Sequence, residues 1–175
     1  DVDVFVGARV QNNQYPLAPF SKILINNGQG KFDTLASPAL DLGMVTDAVW
    51  TDFDQDGWKD LIIVREWGAL AILKNNKGIS LEEVTSTDMQ NYQGWWSMVK
   101  AADLDGDGDE DLIVGNVGNN HRFAVSNQYP LTLYAPDIDL NGVLDLLPGA
   151  YYENEEGQLV EFPVHYLDEL ASQSP

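Results

Sequence analysis

Two stretches of the chain repeat one another at a spacing of 51 residues, and this repeat limits the possible folds more than any other feature. GMVTDAVWTDFDQDGWKDLIIV, from Gly43, aligns without a gap with GWWSMVKAADLDGDGDEDLIVG, from Gly94. A third, degraded copy, DVDVFVG, places Asp3 in register with Asp60, so we expect the chain to begin inside a repeat. Self-similarity of this kind predicts an array of similar units that bury their apolar faces against one another.

Each repeat has the sequence pattern of β-structure. The runs LIIV, LIVG and VFVG are short, apolar and rich in branched residues, as strands are, and Asn-Asn pairs followed by Gly28 or Gly78 favour hairpin turns. The best helical candidate is the short run YLDELASQ from Tyr166. A unit of about 50 residues with four strands has the size of one propeller blade.

The sequence therefore predicts an all-β chain built of β-propeller blades, each a four-stranded antiparallel sheet with an acidic loop. We expect residues 1–175 to form a single partial propeller of about three blades. The approximate blades are 1–42, 43–93 and 94–175, and the last includes a divergent C-terminal segment.

The acidic runs of the repeat have the spacing D-x-D-x-D-G-x-x-D, which predicts calcium loops. This spacing supplies side-chain oxygens at positions 1, 3, 5 and 9, a backbone carbonyl at position 7, and a glycine at position 6 where the chain turns. An EF-hand has Glu at position 12, whereas Ile63 and Val114 stand there in strand-like runs, so we expect the ninth residue to complete the ligand shell.

Three loops fit this spacing, and their candidate metal ligands are listed together. They are Asp52, Asp54, Asp56, Trp58 and Asp60 in the first loop, Asp103, Asp105, Asp107, Asp109 and Asp111 in the second, and Asp137, Asp139, Asn141, Val143 and Asp145 in the third. Trp58, Asp109 and Val143 would contribute backbone carbonyls, and the Asp109 side chain is expected to be surface charge. One such turn alone is more often a solvated loop, but three in register favour Ca²⁺. We expect two sites and a third, weaker one, because Asn141 removes a charge.

These motifs carry a family resemblance. The acidic loop, the apolar strand after it and the L-x-N-N-x-G turn resemble the FG-GAP/VCBS repeats of integrin-α-like β-propellers, and the pair of long copies looks like bacterial VCBS-repeat proteins related to the ASPIC/UnbV group. The resemblance implies a calcium-stabilised propeller, exported and often on a bacterial surface. It implies no reaction.

The third loop does not keep the repeat spacing. Asp145 follows Asp111 by 34 residues, too few for another full blade. The loop either opens a shorter unit or replaces a hairpin within the blade before it, and the sequence leaves both open. Because propellers have about 4 to 8 blades, three require either association with another copy or further blades from a longer chain.

The amino-acid composition limits the kinds of partner that the chain can bind. The formal charge is -19 with no cysteine, which argues against nucleic acid and excludes disulfides and thiolate metal sites. The apolar runs are too short to span a membrane. We expect a protein or glycan ligand at a cell surface, and an extracellular, bacterial surface or periplasmic location, with the signal sequence outside this chain.

Two classes of function remain open. The favoured one is a non-catalytic calcium-binding module for adhesion or protein recognition. The alternative is a lectin-like module, with tryptophans such as Trp95 and Trp96 as sugar platforms, or a structural part of a larger carbohydrate-active enzyme. Carboxylates outside the loops, among them Glu66, Glu82 and Glu83, leave glycoside hydrolysis open, but no pair stands out, and we expect no enzyme.

Overall fold

A computed structural model of the chain describes residues 2–33, 39–84, 86–118, 123 and 125–164. These residues confirm the all-β prediction, since the sheets are antiparallel and the one described helix, α1 (Thr87–Gln90), has four residues. The predicted helix from Tyr166 lies outside the described residues. Within them, no helix has the length and apolar character that crossing a membrane requires.

The strands follow in chain order. They are β1 (Val4–Val6), β2 (Ser21–Asn26), β3 (Phe32–Asp33), β4 (Ala39–Leu40), β5 (Met44–Thr51), β6 (Asp60–Glu66), β7 (Gly68–Ala69), β8 (Ala71–Asn75), β9 (Leu81–Glu83), β10 (Gln93–Gly94), β11 (Trp96–Ala102), β12 (Asp111–Asn116), β13 (Thr132–Tyr134), β14 (Leu147–Glu153) and β15 (Leu159–Pro163).

The most complete sheet has the four-stranded antiparallel order β5-β6-β8-β9, as predicted for a blade. The first loop joins β5 to β6, and Thr51 pairs with Asp60 across it. β8 and β9 form the hairpin that the Asn-Asn pair predicts, closed by a bond from the Asn76 N–H to the Ser80 carbonyl at 2.8 Å. Gly78 has a φ of 76°, the left-handed conformation that this turn requires.

The first sheet has β2 at its centre. β1 pairs with one edge of β2, while β3 and β4 pair with the two ends of its other edge, so Lys22 lies opposite both Val6 and Ala39. β1 and β2 therefore hold the places in this sheet that β6 and β8 hold in the next one. This correspondence agrees with the register of Asp3 on Asp60 in the sequence.

The remaining strands form separate sheets. β11 pairs with β12 around the second loop, β7 pairs with β10, and β13-β14-β15 form a three-stranded sheet in which the third loop joins β13 to β14. The third loop thus connects the first two strands of its own sheet, as the other two loops do. The chain divides into two compact units, of residues 1–11 with 17–117 and of residues 12–16 with 118–175. The blade boundaries given above stay a prediction.

β6 is at the centre of the larger unit's core. Leu61 and Ile63 on one face belong to a cluster that Phe5 and Leu40 of the first sheet cover. Ile62 and Val64 on the other face belong to a second cluster, which includes Val99 of β11. Because successive strand residues point to opposite faces, a strand with sheets on both sides needs a continuous apolar run. The packing accounts for the sequence LIIV.

The matching run LIVG in β12 is buried on one face only. Leu112 and Val114 pack against the second core cluster, but Ile113 points to the opposite face and is 43% exposed. The described residues cover β12 on one face, whereas they cover β6 on both. The same local sequence therefore has two different environments.

Candidate metal-binding loops

The first loop brings three of its predicted ligands together. One carboxylate oxygen from each of Asp52, Asp54 and Asp56 lies within 4.8 Å of the others. The Asp52 carboxylate also accepts hydrogen bonds from the N–H groups of Asp56 (3.0 Å) and Gly57 (2.9 Å). Gly57 has a φ of 89°, which a residue with a side chain adopts only with strain, and this explains the glycine at position 6.

The Lys74 side chain reaches this cluster from β8. Its ammonium donates a hydrogen bond to Asp54 and lies 3.3 Å from Oδ2 of Asp56. The bond to Lys74 holds the pKa of Asp54 below its usual value, and the bond to Asp54 raises the pKa of Lys74. The cluster therefore attracts a cation, and in this structure the cation is a side chain of the protein itself.

Asp60, at position 9 of the first loop, is buried and bonded to the backbone. Its Oδ2 accepts the Phe53 N–H at 3.1 Å and its Oδ1 accepts the Asn75 N–H at 2.7 Å. In the first sheet, Asp3 Oδ1 accepts the Asn26 N–H at 2.8 Å in the same way. The aspartate at this position thus connects the start of one strand to the end of its neighbour by a hydrogen bond, and this bond requires no metal ion.

The second loop repeats this geometry. Asp103, Asp105 and Asp107 form its carboxylate cluster, and Oδ2 of Asp111 accepts the Leu104 N–H at 3.1 Å. A hydrogen bond with Asp107 and the charges of nearby aspartates raise the pKa of Asp109. The raised pKa reflects the close spacing of like charges in this loop.

The third loop forms its cluster with a different membership. Here Asp137, Asp139 and the ninth residue, Asp145, provide the three oxygens within 4.8 Å of one another. Oδ2 of Asp145 also accepts the Ile138 N–H at 2.8 Å. Asn141, at position 5, donates a hydrogen bond from its side-chain amide to Asp139 at 2.8 Å.

The seventh residues take the same turn in all three loops. The N–H groups of Trp58, Asp109 and Val143 donate to the side-chain oxygen of the residue two positions before, at 3.0, 3.0 and 2.7 Å. Trp58 also lies beside Gly78, where an added Cβ would be 3.2 Å from its ring. Their roles as carbonyl ligands stay a prediction.

The donor set of each loop fits a hard cation. All of the clustered atoms are carboxylate oxygens, which suit Ca²⁺ or Mg²⁺ better than a transition metal. The clusters consist of positions 1, 3 and 5 in the first two loops and of positions 1, 3 and 9 in the third, and the ninth residue accepts a backbone N–H in every loop. The role of the ninth residue as a metal ligand stays a prediction. These clusters could therefore hold a metal ion.

Sequence reasoning missed Lys74 as a member of the first loop. It lies 20 residues from Asp54 in the chain, and only the pairing of β6 with β8 brings it close. The sequence offered one signal. ILINN from Ile23 aligns with ILKNN from Ile72, so the first run has Ile25 where the second has Lys74.

The five tryptophans have separate surroundings. Trp50 and Trp96 are partly buried against the two core clusters, as expected for packing residues. Trp67 and Trp95 form a tilted pair with ring centroids 5.5 Å apart, and Trp95 is 41% exposed. Trp95 and Trp96 are adjacent in sequence, but Trp96 packs against the core and Trp95 is partly exposed to solvent.

The first two acidic loops lie in a segment that is similar to a known repeat. No curated protein and no solved structure matches the chain. A family model described as FG-GAP-like repeat matches residues 52–114, from the first residue of the first loop through the second loop and into β12. The narrower resemblance to the VCBS and ASPIC/UnbV groups stays a prediction. Residues 52–114 are thus similar to an FG-GAP-like repeat.

Proposed function

We propose that this chain is a non-catalytic, calcium-binding β-propeller module for surface adhesion or protein recognition. One observation carries the proposal. Three clusters of carboxylates occupy the same place in three sheets, on the loops that join β5 to β6, β11 to β12 and β13 to β14. Exposed acidic residues placed by chance would not follow the topology in this way.

Calcium is favoured over magnesium by the form of the loops. Ca²⁺ accepts six to eight oxygen ligands in flexible geometry, whereas Mg²⁺ requires a near-ideal octahedron and keeps several waters. Each loop is open and supplies several oxygens without enforcing a tight shell. A bound divalent ion would neutralise part of the cluster's charge, and three ions would add 6 to the formal charge of -19, giving -13.

The proposed location follows from affinity. Loops of this exposure suit the calcium affinities of about 10⁻⁴ to 10⁻³ M found in extracellular modules. We therefore place the protein outside the cell, on a bacterial surface or in the periplasm, among the VCBS-type relatives of the FG-GAP repeat. Its partner would be a protein or a glycan, and its propeller would be completed by a second copy or by further blades.

Calorimetric titration with Ca²⁺ tests the proposal. We expect two or three ions per chain, with Mg²⁺ binding more weakly at the same loops. The triple variant Asp52→Asn, Asp54→Asn, Asp56→Asn should remove one ion. As a matched control, Glu153→Gln, Glu155→Gln, Glu156→Gln removes three charges from the exposed β14–β15 turn and should leave the stoichiometry unchanged. A chain that takes up no calcium would contradict the calcium part of the proposal.

A further inference from the structure

A pocket of about 410 Å³ lies at the end of β6 that is far from the first loop. Its volume is within the range of small-molecule sites. Two glycines, one alanine and one methionine line it. The other lining residues are Arg65, Glu66, Trp67, Glu83, Gln90 and Gln93. β6 begins at Asp60 of the first loop and ends at Glu66 of this pocket. The pocket is therefore separate from the metal loops.

Glu66 is the most unusual group in the pocket wall. Its side chain is 2% exposed, and its Oε1 accepts hydrogen bonds from Arg9 Nη2 at 2.5 Å and from Trp95 Nε1 at 2.7 Å. Its Oε2 is buried and has no hydrogen-bond partner among the described residues. Buried carboxylate oxygens are normally satisfied, so this atom indicates a missing donor.

The pocket also has an aromatic wall held by Glu66. Trp67 lines the pocket and stacks at an angle on Trp95, whose indole N–H is bonded to Glu66. Trp67 has a φ of 55°, a backbone conformation that bulky residues adopt rarely and mostly at functional sites. Trp67 follows Glu66 in the chain, and both residues line the pocket.

Charge decides the class of ligand. Glu66 is paired with Arg9, and Glu83 lies 3.7 Å from Arg65, so two carboxylates are balanced by two guanidinium groups. The other polar groups of the wall, Gln90 and Gln93, are neutral amides. A cationic ligand would gain little from a balanced site, and an anionic one would be repelled by a chain with a net charge of -19.

We propose that this pocket binds a neutral, polyhydroxylated ring, that is, a sugar residue of a glycan. A sugar hydroxyl would donate to Glu66 Oε2, the glutamine amides would pair with further hydroxyls, and the apolar face of the ring would lie on Trp67. This inference rests on the proposed recognition function and names the chemistry of its ligand.

Calorimetric titration of the calcium-loaded chain tests the inference, with neutral methyl glycosides of hexoses and N-acetylhexosamines as probes. We expect at least one of them to give a saturable heat of binding. Trp67→Gly should abolish binding, and glycine suits the positive φ, so the fold should tolerate the change. Glu66→Gln, which puts an amide where an acceptor is needed, should weaken binding about ten-fold or more.

Two variants serve as matched controls, and a third protects against misfolding. Phe20→Ala removes an exposed aromatic ring and Glu82→Gln a neighbouring carboxylate, and neither residue lines the pocket. Both should bind the glycoside within two-fold of the parent chain. If Glu66→Gln fails to fold, Gln93→Ala takes its place, because Gln93 is exposed and lines the pocket.

Three outcomes would overturn the inference. They are the absence of glycoside binding by a chain that takes up calcium, glycoside binding that Trp67→Gly leaves unchanged, and binding of tetramethylammonium but not of glycosides, which would indicate a cation site. The first leaves calcium binding intact. Glycoside binding by a chain that takes up no calcium would instead support this site and contradict the metal proposal.

Discussion

The ammonium of Lys74 lies 3.3 Å from Oδ2 of Asp56 and also pairs with Asp54, so the first loop contains a cation from its own sheet. Among the described residues, no such ion pair reaches the clusters of the second and third loops. A divalent ion entering the first loop must compete with this ammonium, whereas the second loop has an excess of negative charge. The three sites should therefore differ in affinity although they share one spacing.

Replacing Lys74 should strengthen calcium binding at the first loop. In Lys74→Met the competing charge is gone and the two carboxylates are free, so we expect roughly a two- to five-fold gain in affinity at one site, the scale of an exposed ion pair. Calorimetric titration at low ionic strength measures the gain, and added salt should reduce it. Lys31→Met, which removes an exposed charge between β2 and β3, is the control. Equal effects of the two variants would show that only net charge matters.

Removing calcium should lower the melting temperature. A ligand at 100 times its dissociation constant stabilises the native state by about 2.7 kcal/mol per site. Two or three sites would therefore shift the melting temperature by about 10 °C or more for a chain of this length. Differential scanning calorimetry with and without a chelator measures this shift, and calcium should restore the melting temperature better than magnesium. An unchanged melting temperature after chelation would count against structural calcium.

Alanine at the two ninth positions should have different effects without calcium. Asp60→Ala leaves the Phe53 and Asn75 N–H groups without their acceptor beside the core, which should cost about 2 kcal/mol or more of unfolding free energy. Asp111→Ala loses one exposed bond, to Leu104, and should cost less. Urea unfolding of the calcium-free variants compares them, and titration should show one ion lost from each. Equal losses of stability would contradict the structural role of Asp60.

Asp47 should make the free energy of unfolding depend on pH in the acidic range. Burial opposes its ionisation, but hydrogen bonds from the Val99 and Ala48 N–H groups and the Lys100 charge outweigh this and lower its pKa from 3.8. A carboxylate with a lowered pKa in the folded state stabilises the protein above its unfolded pKa, and this contribution is lost as the pH falls through the folded value. Stability should therefore decline as the pH falls below about 3.8.

Asp47→Asn isolates this effect. At pH 7 it should lower the unfolding free energy by about 1 kcal/mol, because β5 loses its charged acceptor for Val99 of β11. The difference from the parent chain should shrink in acid, as urea unfolding at several pH values would show. Asp41→Asn, at an exposed carboxylate, is the control. A difference that persists in acid would assign the loss to packing rather than to charge.

The local structure and its repetition follow from the order of the residues alone. Alternating acidic residues with a glycine at position 6 can only form a tight turn, and Gly57, Gly108 and Gly142 all have positive φ as that turn requires. The branched apolar runs LIIV and LIVG after the first two loops formed strands, and the Asn-Asn pairs formed hairpins. These features depend on residues close together in the chain, so their pattern was sufficient to predict them.

Which positions meet, and how deeply each is buried, depends on contacts between strands that are distant in the chain. LIIV and LIVG are nearly the same sequence, yet Ile63 is fully buried and Ile113 is 43% exposed, because β6 has a sheet on each face. Lys74 joins the first loop, and Trp95 meets Trp67 and Glu66, only through strand pairing across 20 or more residues. Burial and charge balance are sums over all neighbours, and a local pattern contains no information about neighbours that the fold brings from elsewhere.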